Sequence, residues 1–191
     1  MKTILLVPTG EGVGLTSACL GLVYALECQG VKAGFLKPFS QEDQEHLDRT
    51  TSLFGHLFQS KTVQSISHEK LTQRIAAGEV DELLEEAVSL HRSIAADNNV
   101  IIVEGLLPNG QDHFASELNA SLAQALDAEV VLVSTADIQN PRKTAEKVEA
   151  HLRQFGGATS NRTAGVLFMR TRGLPEESAQ IPLTIDPSLR L

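Results

Sequence analysis

The chain reads as a doubly wound α/β domain, a mostly parallel sheet with helices on both faces. Three observations predict it. Five short runs, "TILLV", "AGFLK", "NVIIVEG", "AEVVLVST" and "TAGVLFM", are apolar almost throughout instead of alternating, as strands buried on both faces are. Segments of helical periodicity separate them, an order that calls for parallel pairing through right-handed crossovers. The first run also leads straight into a glycine loop and a helix, the kind of junction where open α/β sheets hold ligands.

Residues 3 to 7 form the first strand, closed by Pro8. From Leu15 to about Cys28 the chain is apolar or small nearly all round, and Gly30 stops it where a helix C-terminus favours glycine. A short second strand, "AGFLK", is followed by the polar "PFSQEDQEH" and a helix predicted over Glu45 to Phe58. In "SISHEKLTQRIAAG", Ser67 is the N-cap, Leu71 and Ile75 lie one turn apart, and Gly78 is the stop. A longer helix from Asp81 to Asp97 sets Leu83, Leu84, Ala87, Leu90 and Ile94 at helical spacing against an acidic outer face.

The strand "NVIIVEG" then ends at Glu104, a helix covers 113 to 126, and "AEVVLVST" is the next strand. In the following helix Asn140 is the cap, Pro141 takes the first position, and Ala145, Val148, Leu152 and Phe155 line one face before Gly156. After "TAGVLFM" the pattern fades beyond Arg170 into an irregular tail with a short β-like "IPLTI".

At 191 residues the chain is long enough for one sizeable core and short for two domains, so residues 1–191 are expected to form a single domain. No stretch approaches the roughly 20 apolar residues that span a bilayer, and "MKTILLVPTG" ends in a Pro/Gly turn with no small-residue cleavage site. A membrane partner is not expected. The net charge of −8 opposes phosphate backbones, and the one dense basic cluster, Arg142-Lys143 with Lys147 a turn further, is too small for a nucleic-acid footprint. Cys19 and Cys28 fall on opposite faces of one helix, about 13 Å apart along its axis, so they cannot pair, and two free thiols suit a reducing cytoplasm. The six histidines are scattered and each reads as a surface residue, with no metal-ligand spacing. There is no G-x-S-x-G elbow and no Ser/His/Asp set, so no catalytic residue is assigned.

The chemistry, if any, is expected at the carboxyl ends of the strands: the loop "PTGEGVGLTS" with Gly10, Gly12, Gly14, Thr16 and Ser17, then Lys37, Glu104, and Ser134 to Asp137. In a phosphate-binding loop the amides cradle phosphates, a lysine neutralises charge, a Ser or Thr hydroxyl binds Mg²⁺, and an acid on another strand end supports the metal. Thr16 and Glu104 suit two of these roles. G-x-x-x-x-G-K-[ST] would, however, put glycine at Thr9 and lysine at Leu15, and K-G-G-x-G-K-[ST] would add a lysine at Gly10. All three positions depart. The glycines then serve a tight strand-to-helix turn able to hold an anion only weakly through its amides and the helix dipole. Lys37 is either a substrate lysine or a solvated strand end. Glu104 is either a metal ligand or a carboxylate held by loop amides, with the second favoured.

Taken in order, "PTGEGVGLTS", "FLKPFSQ", "AAGEVDELLEEAV", "IIVEGLLPN", "FASELNASLAQALDAEVVLVS" and "FGGATSNRTAGVLF" resemble the N-terminal domain of the long, multidomain bacterial phosphate acetyltransferases. That domain is similar in fold to dethiobiotin synthetase, a P-loop ligase, and the resemblance covers roughly residues 3 to 168. It implies P-T-G-x-x-V-G-L-T-S as the family's own loop, with Leu15 as its expected residue. In the related ligases Lys37 would match the strand-end K-P lysine that faces the substrate, and Glu104 the acid of V-E-G near the metal. Met169 stands where related folds often place an asparagine for the nucleotide base.

The family implies acyl transfer from acetyl-CoA to phosphate by a catalytic domain C-terminal to these residues. The chain is therefore expected to be a non-catalytic regulatory or oligomerisation domain, a fragment of a longer cytoplasmic chain. No cofactor of its own is expected. Its implied partners are the downstream domains, further copies in a homo-oligomer, and a small anionic metabolite effector. Two alternatives are an ATP-dependent ligase of the dethiobiotin synthetase kind, which would require the missing loop lysine, and a free-standing pseudo-ATPase that binds a partner protein.

Overall fold

The computed structural model describes residues 1–41, 48–108, 114–137 and 139–170. Five strands, β1 (Lys2–Pro8), β2 (Ala33–Leu36), β3 (Val100–Glu104), β4 (Glu129–Thr135) and β5 (Thr163–Met169), form one all-parallel sheet in the order β2-β3-β1-β4-β5. The first strand of the chain is thus its centre, with Leu5 opposite Val103 on one side and Val130 on the other.

Between the strands run α1 (Leu15–Cys28), α2 (Arg49–Phe58), α3 (His68–Ala77), α4 (Val80–Ala95), α5 (Ala115–Ala125) and α6 (Pro141–Leu152), the last continued by a 3-10 turn at Arg153–Phe155. The connection from β1 to β2 runs one way across the sheet, and those into β3, β4 and β5 run back the other way. Right-handed crossovers send the two directions over opposite faces. Accordingly α1 packs one core, built on Leu6, Phe35, Ile102 and Val133, while α3 to α6 pack the other, built on Leu5, Leu36, Val103 and Leu132; α2 follows β2 in the chain but lies on the α1 side, where its Phe54 joins the first core.

The caps follow the side chains available. Ser67 accepts from the amide of Lys70 and Asn140 from that of Lys143, and Gly78 ends α3 in the left-handed region. Helix α2 opens at Asp48, whose carboxylate accepts from the amides of Thr50 and Thr51. The predicted start at Glu45, residue 113 of the fifth helix, and "IPLTI" lie outside the described residues.

One expectation needs correction. His91 is not a surface residue: it is buried on the α4 stripe between Ala87 and Ile94, and its Nε2 lies 3.0 Å from the Thr3 hydroxyl on β1. Helices lie on both faces of the sheet, as expected. Helix α1 lies over β2, β3 and β1, so on its side β4 and β5 carry no helix among the described residues, and Val131, Leu167 and Met169 remain partly exposed.

Candidate functional site

At the carboxyl end of β1 the loop turns through Gly12 (φ 66°) and Gly14 (φ 86°), left-handed conformations that disfavour any side chain. Between them Val13, and just after them Leu15, point down into the α1-side core, where they are 2% and 5% exposed. The residue standing in the lysine position is thus an anchor of the loop. Thr9 fastens its start, donating from its amide to Val133 O and from its hydroxyl to Ser134 Oγ, both at 2.9 Å. Thr16 meets Thr50 of α2, hydroxyl to hydroxyl, at 3.4 Å, and Ser17 is exposed.

Two side chains reach the loop from distant elements. Met169, at the end of β5, packs on Gly14, where an added Cβ would lie 3.6 Å from its methyl carbon. Lys147 of α6 crosses to Gly10, its Nζ 3.2 Å from the place a Cβ would occupy. The sequence shows Lys147 only as the far member of a small basic cluster. Its position over the loop depends on how α6 docks, and periodicity carries no such signal.

Lys37 and Glu104 come together at the strand ends. The Lys37 ammonium lies 2.8 Å from Asp48 Oδ2 and 3.4 Å from Glu104 Oε1. Lys37 is therefore not a solvated strand end, since its side chain is 14% exposed. Nor is Glu104 held by loop amides: its Oε1 has Lys37, and its Oε2 is buried with no hydrogen-bond partner.

Asp48 is the residue that sequence reasoning missed. Its Oδ1 caps α2, 2.9 Å from Thr50 N, while its Oδ2 takes Lys37 and the Ser40 hydroxyl at 3.1 Å. An Asp before a helical run is a recognised cap signal, and placing the helix start at Glu45 obscured it. Ser65 completes the surround, donating to the Lys37 carbonyl at 2.6 Å.

The charges are arranged by burial and partners together. Burial pushes the Glu104 carboxyl up, more than Lys37 pulls it down. For Asp48 burial works the same way, but the bond from Lys37, with Lys37's charge and the amide of Thr50, outweighs it and holds the carboxyl below its usual range. Burial also works against the Lys37 ammonium, yet the two carboxylates hold its pKa above the ordinary lysine value. Burial raises the Cys19 thiol well above its usual value, and the Glu104 charge pushes the same way, so this cysteine is a packing residue.

Behind the site the backbone is tightly held. A Cβ at Gly105 would fall 2.9 Å from both Asn119 Oδ1 and Leu6 O, and the buried Asn119 amide clamps the N–H and carbonyl of Leu106 at 2.8 and 2.9 Å. Of the β4-end candidates, Ser134 is buried on Thr9, and Asp137 accepts from the amides of Gln139 and Asn140 in the turn before α6.

A metal-nucleotide complex does not fit these residues. The acid suited to support a metal already faces an internal ammonium, and the phosphate-lysine position is filled by a buried leucine.

A family model described as "AAA domain" matches residues 2–183. Over all 191 residues the chain is 80% identical to a phosphate acetyltransferase of Acinetobacter baylyi, and over 181 residues it is 36% identical to that of Haemophilus influenzae. It covers 100% and 94% of its own length in these matches and 26% of each relative, so it spans about a quarter of the relatives' length. Among solved structures, the cell division protein FtsY of Thermotoga maritima superposes with a TM-score of 0.55 at 16% identity, over 87% of this chain and 52% of that one. That likeness shows the P-loop type of α/β fold. The chain belongs to the AAA domain family and matches the N-terminal quarter of phosphate acetyltransferases from end to end.

Proposed function

We propose that this chain is a non-catalytic regulatory and assembly domain of a cytoplasmic phosphate acetyltransferase, the enzyme that exchanges acetyl groups between coenzyme A and phosphate. The observation that carries the reading is the closure of the strand-end site. Lys37 is held by Asp48 and Glu104, and Leu15 is packed in the core where a phosphate-binding lysine would stand. Charge stabilisation of a transferring phosphoryl group has no free cation from the loop itself. What persists is the shape of an anion loop, Gly10 to Gly14 leading into Thr16 and Ser17, with Lys147 alongside. In this reading the loop is a degenerate phosphate site, and a small anionic metabolite is the effector it would take. Acetyl transfer and homo-oligomer contacts then belong to the whole polypeptide.

Calorimetry with ATP and Mg²⁺ tests the closed site: weak or no binding is expected, and low-micromolar affinity overturns it. An acetyl phosphate assay on the 191-residue chain tests the rest. No turnover is expected, and turnover by this chain alone would place catalysis within it.

A further inference from the structure

Apart from Met1, the large apolar side chains most exposed among the described residues are Tyr24 (64%), Leu57 (56%) and Leu53 (42%), and all three lie on the adjoining helices α1 and α2. The outward face of α1 is otherwise built of Ser17, Gly21, Ala25 and Cys28, and Glu27 is the one charged residue in its fourteen. Helices α4 and α6, equally outward on the opposite face of the sheet, are densely charged. An ordinary solvated helix surface carries about a quarter to a third charged residues, so α1 is far below that level. Beyond α1 the partly exposed Val131 and Leu167 of the β4–β5 half, over which no helix lies among the described residues, extend the apolar side.

We infer that this side, the outer surface of α1 and α2 with the adjoining half of β4–β5, is where the downstream part of the same polypeptide docks. The inference rests on reading the chain as one part of a phosphate acetyltransferase, whose relatives are about four times as long. A tethered partner meets the surface at an effective concentration that can reach the millimolar range, so an uncharged face of modest area suffices. A second copy would instead bring together two bodies of charge −8 with no basic patch among the described residues of this side to offset the repulsion. Because Met169 of β5 rests on Gly14, and α1 starts at the next residue, such docking would also bear directly on the glycine loop.

The test uses the full-length phosphate acetyltransferase that carries these residues, with a photo-cross-linking amino acid at position 24 or 57. Peptide mapping is expected to join these positions to residues beyond 191 of the same polypeptide. Cross-links to residues 1–191 of another copy, or quenching by solvent alone, overturn the inference. A second readout needs no substitution at the cross-linking positions. Cys28 is exposed on the same helix and Cys19 is buried, so in the full-length enzyme Cys28 should react with a maleimide at least tenfold more slowly than glutathione does. The Leu53→Lys variant should restore its rate, while Glu85→Lys on α4 should not. An unprotected Cys28 refutes the docking. ATP affinity and acetyl transfer by the 191-residue chain bear on the functional reading instead, so the two can fail separately.

Discussion

Replacing Lys37 with methionine tests the ion cluster at its centre. The substitution keeps most of the side-chain volume but leaves Asp48 and Glu104, whose side chains are 1% and 5% exposed, without their cation. Removing one partner from a buried ion pair costs about 3–5 kcal/mol, which in a domain of this size lowers Tm by roughly 6–20 °C. The two acids should not share the loss equally. Asp48 keeps the amides of Thr50 and Thr51 and the Ser40 hydroxyl, whereas Glu104 keeps no backbone amide, has the Thr16 hydroxyl nearby, and its Oε2 has no hydrogen-bond partner. Most of the penalty therefore falls on Glu104, which can escape it by taking up a proton.

Urea or thermal melts followed by circular dichroism between pH 4 and 8 would show the Lys37→Met penalty shrinking as pH falls, and Glu104→Gln added to Lys37→Met should recover more than half of it. In the unmodified chain the sign is fixed by the raised Glu104 pKa. Its contribution is fully present below the ordinary value of 4.5 and is lost as pH rises through the folded value. Glu104→Gln alone should therefore flatten that decline. A Lys37→Met variant within about 1 kcal/mol of the parent at pH 7, or one whose penalty ignores pH, would refute the account of a closed cluster.

The remaining predictions concern single contacts. Leu15→Lys should lower stability by about 2 kcal/mol or more, because it exchanges a buried leucine for a chain that must snorkel outward; a melt at the parental midpoint would refute the anchoring role. Gly105→Ala should cost about 1–3 kcal/mol, since its Cβ would meet the Leu6 carbonyl and Asn119; an unchanged urea midpoint would mean that the backbone there yields. Burial, aided by the Arg92 charge, holds the His91 imidazole below its ordinary value of 6.5. Its contribution is thus present above that pH and lost as pH falls through the folded value, so His91→Gln should show a flatter stability profile between pH 7.5 and 5 than the parent.

Much of the architecture is legible because it depends on local pattern. Strands that are apolar throughout, the Ser67 and Asn140 caps and the Gly78 stop each carry their own signal, and each lies where expected. The site is legible only to its first layer. Strand ends bring Lys37 and Glu104 together, as the fold requires, but their partner comes from a helix start that loop geometry sets. His91 could have been placed from spacing alone, because it continues the stripe of Ala87 and Ile94, and its polarity hid it. Lys147 and Met169 reach the glycine loop through the docking of α6 and the register of β5, which are properties of the assembled sheet.

The central place of β1 has a consequence for how the protein is made. Lys2–Pro8 leaves the ribosome before the other strands, yet its two neighbours in the sheet are Val100–Glu104 and Glu129–Thr135, more than ninety residues behind it. At 5–20 residues per second the strand waits about 6–25 s for both edges to be paired. During that interval the nascent α1 can cover only the Leu6 side of "ILLV", while Leu5 and Val7, which face the other core, depend on a chaperone or on later helices. The nascent chain should therefore be most prone to aggregation while α4 is being synthesised, and a translational pause after β4 would help it more than one before.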